Sequence, residues 1–219
     1  MTIDDIVSVP SIYESRRKGV AEAVAAALDI VYAFAAEQGW SSYVKEPFFR
    51  GVEIFETQDA LWRRMLQLNQ LEDAPRPTDA LTAALESGVL LAVVPEEAEA
   101  ARPEYFRSPD DWVRALAHEI IHRLHVRVLN GNEDAMGPQW FFEALAVLGS
   151  GQSLGEDIRV DSVEQSLELT RTGGRGSYGR YAAALRFLVK RIPLQRIIDN
   201  AAAADFEEWL RTESEKSNV

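Results

Sequence analysis

Cysteine is absent from this 219-residue chain. Disulfides, thiolate catalysis and thiolate-ligated metals are thereby excluded, and any metal site must use His, Asp or Glu. Histidine is scarce too, with three in the chain. Long apolar runs are missing. No stretch approaches the ~20 residues of a membrane span. The Ala- and Val-rich segment near the N-terminus is interrupted by Glu22 and Asp29. The first residues, MTIDDIVSVP, are acidic and lack the basic region and apolar stretch of a secretory signal. A cytoplasmic protein is expected. Positive charge is in deficit as well, with 23 Lys and Arg against 35 Asp and Glu, a net charge of -12. Such a field repels phosphate, so neither nucleic acid nor an anionic membrane is expected as a partner.

What is present is concentrated in one stretch, VRALAHEIIHRLHVRV, residues 113–128. It contains all three histidines, His118, His122 and His125, and the pattern His118-Glu119-Ile120-Ile121-His122. His-Glu-x-x-His on a helix is a zinc-hydrolase signature, because residues four apart share a face one turn apart. At 100° per residue, His118 and His122 lie about 40° apart, and Glu119 lies about 60° beyond His122. Two imidazoles can then reach one ion while Glu119 holds a water. His125 falls on the same face but two turns along, too far to join His118 on one ion, and it reads as a flanking residue. Catalytic zinc commonly takes three protein ligands and one water. With the histidines used, the third should be a carboxylate. Glu143 is the best candidate, set among aromatics as WFFEALA on the next helix, where a buried acid needs a partner. Glu133 and Asp134 are the runners-up.

The remaining pattern implies a mostly helical α+β fold in one domain over residues 1–219. Residues 1–95 read as a mixed α/β part with an edge strand. Residues 96–211 read as a helical part bearing the zinc site, and residues 212–219 as a polar, frayed tail. The cleft is expected between the first two parts. Helices are expected over residues 11–38, 58–71, 78–87, 109–129, 138–148, 162–171, 178–191, 193–200 and 205–211, on the strength of apolar spacing and capping signals. Strands are expected over residues 51–57 and 88–95, the second being the most apolar and β-branched. Residues 72–77 and 172–177 read as loops, and residues 96–109 as acidic and then irregular.

His118-Glu119-x-x-His122, followed by Trp140-x-x-Glu143-Ala144-x-Ala146, resembles the gluzincins, the His-His-Glu zinc peptidases. The likeness covers roughly residues 90–210. It extends to Tyr178-Gly179-Arg180-Tyr181 at a helix start and to the closing Phe206-Glu207-Glu208-Trp209. It implies a zincin-like fold with a small sheet whose edge strand borders the active-site helix. Residues 89–94 would be that strand and could bind a peptide by strand addition, with Val93 touching substrate. It implies a zinc cofactor held by His118, His122 and Glu143, with Glu119 as general base. Tyr178 would steady the oxyanion, with Tyr181 as the alternative, and Arg180 or Arg175 would meet a substrate carboxylate. The substrate would be a peptide or protein. Phe142-Glu143-Ala144 stands where many aminopeptidase-like members have Asn-Glu-Gly, and their Gly-x-Met-Glu-Asn motif is missing, so aminopeptidase activity is not implied. The alternative is a zinc-binding interaction or regulatory domain without turnover.

Overall fold

The computed structural model describes residues 2–71, 74–171 and 175–216. It is an α+β fold dominated by helices, with one small mixed sheet. The sheet holds β1 (Val7–Ser8), β2 (Gly51–Phe55), β3 (Ala83–Glu86) and β4 (Val89–Val93), in the order β1-β2-β4-β3. β1, β2 and β4 run parallel, whereas β3 pairs with β4 antiparallel. The parallel pairs need long crossovers. α1 (Arg17–Glu37) supplies the first, and α2 (Gln58–Leu68), capped by Thr57 accepting from the Ala60 N–H, lies within the second.

β3 overturns one expectation. Residues 78–87 were expected to form a short helix capped by Thr78, yet residues 83–86 form an edge strand. The cause is the two-residue turn at Ser87 (φ 49°) and Gly88 (φ 74°), which folds β3 back on β4 with Glu86 opposite Val89. Two positive-φ residues match the right-handed twist of a hairpin, and pairing with β4 then outweighs helix propensity. β4 is consequently interior. Val93 is fully buried, its N–H donates to the Thr82 carbonyl, and its carbonyl accepts from the Trp112 indole. Residues 89–94 are therefore not the edge, and Val93 cannot bind substrate there.

The helical part follows as α3 (Pro95–Ala101), α4 (Pro109–Val128), α5 (Gln139–Ser150), α6 (Val163–Thr170), α7 (Tyr178–Val189), α8 (Leu194–Asn200) and α9 (Phe206–Lys216). α3 begins at Pro95, the expected strand end, and takes up the acidic part of residues 96–109, where no helix was expected; Pro95 at its first position and two acids in its first turn suit a helix start. α9 runs on into the expected frayed tail as far as Lys216, because Glu213 and Ser214 are buried and Glu213 pairs with Arg196 and Lys216. Residues 217–219 lie outside the described residues, as do residues 72–73 and 172–174 of the two expected loops.

α4 is the central helix. It packs against α1, α5 and β3, and buries most of its length. Its start is fixed by Asp111, whose carboxylate accepts from the N–H groups of Arg107 and Ser108 at 2.9 and 2.8 Å, and by the Trp112 bond to β4. α5 crosses α4 at Gly149. A Cβ there would lie 2.8 Å from Ile121 and 3.0 Å from Phe34, so glycine permits the approach. Close packing is the role of Gly149, and Gly151, left-handed at φ 67°, ends the helix. Buried side chains of both sequence parts belong to one continuous core.

By length and apolar content, the helical stretch Ser11–Glu37 passes the test for a membrane span, contrary to the sequence reading. One third of its most apolar window is buried, and α1 within it sets Val24, Ala27, Val31 and Phe34 into the core against α4 and α5. A core helix passes the same test.

Candidate metal centre

His118 and His122 project from adjacent turns of α4, their rings 4.7 Å apart and nearly perpendicular. Glu143 comes from α5. Its place is set by the aromatic first turn of that helix. Trp140 stacks on Phe206 of α9 at 5.9 Å, and fully buried Phe141 meets the same ring edge-on at 5.8 Å. Burying such rings contributes about 2–3 kcal/mol each, enough to anchor a helix whose one buried acid is costly.

The three side chains converge. His118 Nε2 lies 3.2 Å from Glu143 Oε2, His122 Nε2 lies 3.5 Å from the same oxygen, and the two Nε2 atoms are 3.1 Å apart. These three atoms lie within 4.8 Å of one another, and the group could hold a metal ion. His118 is 6% exposed and Glu143 8%. Three atoms that all carry lone pairs cannot face one point in a buried site without positive charge between them. Protons or a metal cation can provide it.

The ionisation of the pair reflects that demand. Burial is the largest influence on His118 and pushes its pKa down. The Glu143 hydrogen bond, the charges of Glu119 and Glu143, and the bond to Gln152 together outweigh it and raise the pKa. For Glu143, burial pushes the pKa up, but hydrogen bonds and charge from His118 and His122 hold it well below the carboxylate range. His118 and Glu143 thus pull each other toward their charged forms; a metal cation at the centre would likewise keep Glu143 ionised but would hold His118 as the neutral imidazole.

Gln152 is the site residue that the sequence reading missed. Its side-chain oxygen lies 2.9 Å from His118 Nδ1. A proton on Nδ1 then leaves Nε2 with its lone pair toward the centre, which is the orientation a ligand needs. Gln152 sits just past α5, and Arg186 of α7 donates to its carbonyl and to that of Leu154. Gly155 then presses on Gly179, where a Cβ would lie 1.8 Å from the Gly179 carbonyl oxygen. No local motif marks Gln152, since 34 positions separate it from His118.

The triad opens onto a cleft of about 370 Å³. Its walls include β3, Glu119, Phe142 and Tyr178. Tyr178, at the start of α7, stacks on His118 with ring centres 5.9 Å apart. Tyr181 is 2% exposed and does not line the cleft. Arg180 is exposed on α7 and is not among the cleft-lining residues, so the structure does not place it for substrate binding. The side chain of Arg175 lies outside the described residues. Glu133 is not in the triad either; it pairs with Arg123 at the surface. His125 is not in the triad. It is 1% exposed, packs edge-on against Phe141, and neither ring nitrogen has a hydrogen-bond partner among the described residues.

No protein-family model, no curated protein and no solved structure matches the chain. Motif and geometry therefore carry the functional reading.

Proposed function

We propose that this protein is a zinc-dependent peptidase of the gluzincin kind. The observation that carries the reading is the convergence of His118, His122 and Glu143 in a cleft that Glu119 and the edge strand β3 also line. Two imidazoles and one carboxylate form a common catalytic zinc ligand set. Zinc bound there would act as a Lewis acid and lower the pKa of a bound water. Glu119 accepts the proton of the attacking water and delivers it to the leaving amine. Tyr178 donates a hydrogen bond to the oxyanion that develops on the substrate carbonyl. β3 pairs on one side only, with β4, and its free edge supports strand addition by an extended peptide. Gln152 holds the His118 ring. The cytoplasmic placement belongs to the same proposal, supported by the packing of α1 on α4.

Metal content and cleavage of a broad peptide pool, measured together on wild type and Glu119→Gln, test this. Zinc is expected in both proteins, with cleavage reduced about 10²–10⁴-fold in the variant. Zinc without wild-type cleavage would favour an interaction or regulatory domain. Metal-replete protein that carries no zinc would overturn both readings.

A further inference from the structure

The ionised side chains lining the cleft are mostly acids, Glu86, Glu119 and Glu143. Among the described lining residues there is one guanidinium, Arg102. Its backbone is tied down on both sides. The Arg102 N–H donates to the Ala98 carbonyl at the end of α3, and its own carbonyl accepts from Tyr105 and Phe106. The root of the side chain is thereby fixed on the cleft wall. The side chain is only 17% exposed. Its ion-pair partner among the described residues, Glu104, is 3.7 Å away, beyond hydrogen-bond distance, and half exposed. The Tyr105 ring centre lies 5.2 Å from the guanidinium carbon. Among the described residues, this largely buried cation with five N–H donors thus has a loose ion pair with Glu104 but no hydrogen-bonded anion. An aromatic face steadies such a group but leaves its donors unused.

We propose that Arg102 is the carboxylate subsite of this cleft, and so sets the substrate class of the peptidase proposed above, on which the inference rests. A carboxylate can accept two parallel N–H bonds from a guanidinium, and the bond is strengthened where water is excluded. Elsewhere in the cleft the three acids repel an anion, so attraction at Arg102 and repulsion around it together orient the ligand. The carboxylate is an acidic side chain or the free C-terminus of the peptide. Phe106 and Tyr105, beside Arg102 in the same wall, offer apolar surface for the residue carrying it.

Binding is measured by calorimetry on the purified protein carrying Glu119→Gln, so that turnover does not intrude. Three probes separate the sources of the carboxylate: acetyl-Ala-Phe-Ala as the free acid, the same peptide as its amide, and acetyl-Ala-Phe-Glu amide. One or both acid-bearing probes should bind about tenfold tighter than the neutral amide. Whichever one does so identifies the source. Adding Arg102→Leu should erase the preference without weakening the neutral amide, and Arg102→Lys should retain part of it. Equal affinity for all three probes, or no binding at millimolar concentration, would overturn the subsite. So would Arg102→Leu weakening all three alike, the mark of a structural role. Acid preference in a protein whose wild type cleaves no peptide would leave the subsite standing and remove the peptidase reading. Cleavage without acid preference would do the reverse.

Discussion

His118 and His125 lie on one helix, both nearly fully buried, and a helical wheel puts them about 20° apart. Their surroundings differ completely. His118 has a partner on each ring nitrogen, Gln152 at one and Glu143 with His122 at the other. His125 has none, and an aromatic ring closes its side. The difference comes from α5, where Glu143 and Phe141 stand two residues apart, one facing the cleft and the other the core. The same imidazole faces a carboxylate and a second imidazole in one setting and fills core volume with unsatisfied nitrogens in the other. Spacing along a helix says which side chains are neighbours; what crosses the helix says what they can do.

Removing the acid from the cleft side breaks the contrast most severely. In Glu143→Ala the two imidazoles keep their spacing but lose the carboxylate that faces both. Zinc affinity, measured by competition with a chelating dye, should fall roughly a thousandfold. Unchanged affinity would remove Glu143 from the ligand set.

The core side is tested through pH. Burial, and secondarily the charge of His122, lower the His125 pKa from 6.5 to about 4. In the unfolded chain this ring takes a proton below pH 6.5, whereas the folded protein refuses it until about pH 4. The shift therefore takes nothing from stability above pH 6.5 and destabilises the fold progressively as pH falls to about 4. The loss amounts to roughly 3 kcal/mol. Urea unfolding of wild type and His125→Leu across that window should show the variant losing less stability by about that amount. Parallel curves would show that His125 has a partner or reaches solvent.

The smallest effect expected is at Gln152. Gln152→Leu keeps the three converging atoms but frees His118 Nδ1. Metal affinity should weaken about 10–100-fold, with little change in thermal midpoint. A variant that binds metal as tightly as wild type would mean that Glu143 and packing alone orient the ring, and the contrast with His125 would rest on the cleft side only.

Some of this was legible in the residues. His118, Glu119 and His122 are local, and a fixed 3.6-residue period brings them together wherever the helix sits. Glu143 was readable as an acid stranded in an aromatic run. The hairpin at Ser87-Gly88 was readable as well, but the helix-favouring Ala83, Ala84, Leu85 and Glu86 masked it. Val93, Arg180 and Gln152 were not decided by local pattern. Strand order put Val93 inside the sheet, helix rotation turned Arg180 outward, and a long-range approach brought Gln152 to His118.

The sequence alone thus determined a mostly helical chain, a helix carrying His118, Glu119 and His122 on neighbouring faces, and an acid on the next one, because propensity and period act between near neighbours. Only the tertiary structure decided which strand is the edge, which histidine is buried without partners, and which arginine meets the cleft. Those outcomes depend on elements far apart in the chain crossing at particular points, such as Gly149 against Phe34 and Ile121, and no local rule encodes a crossing.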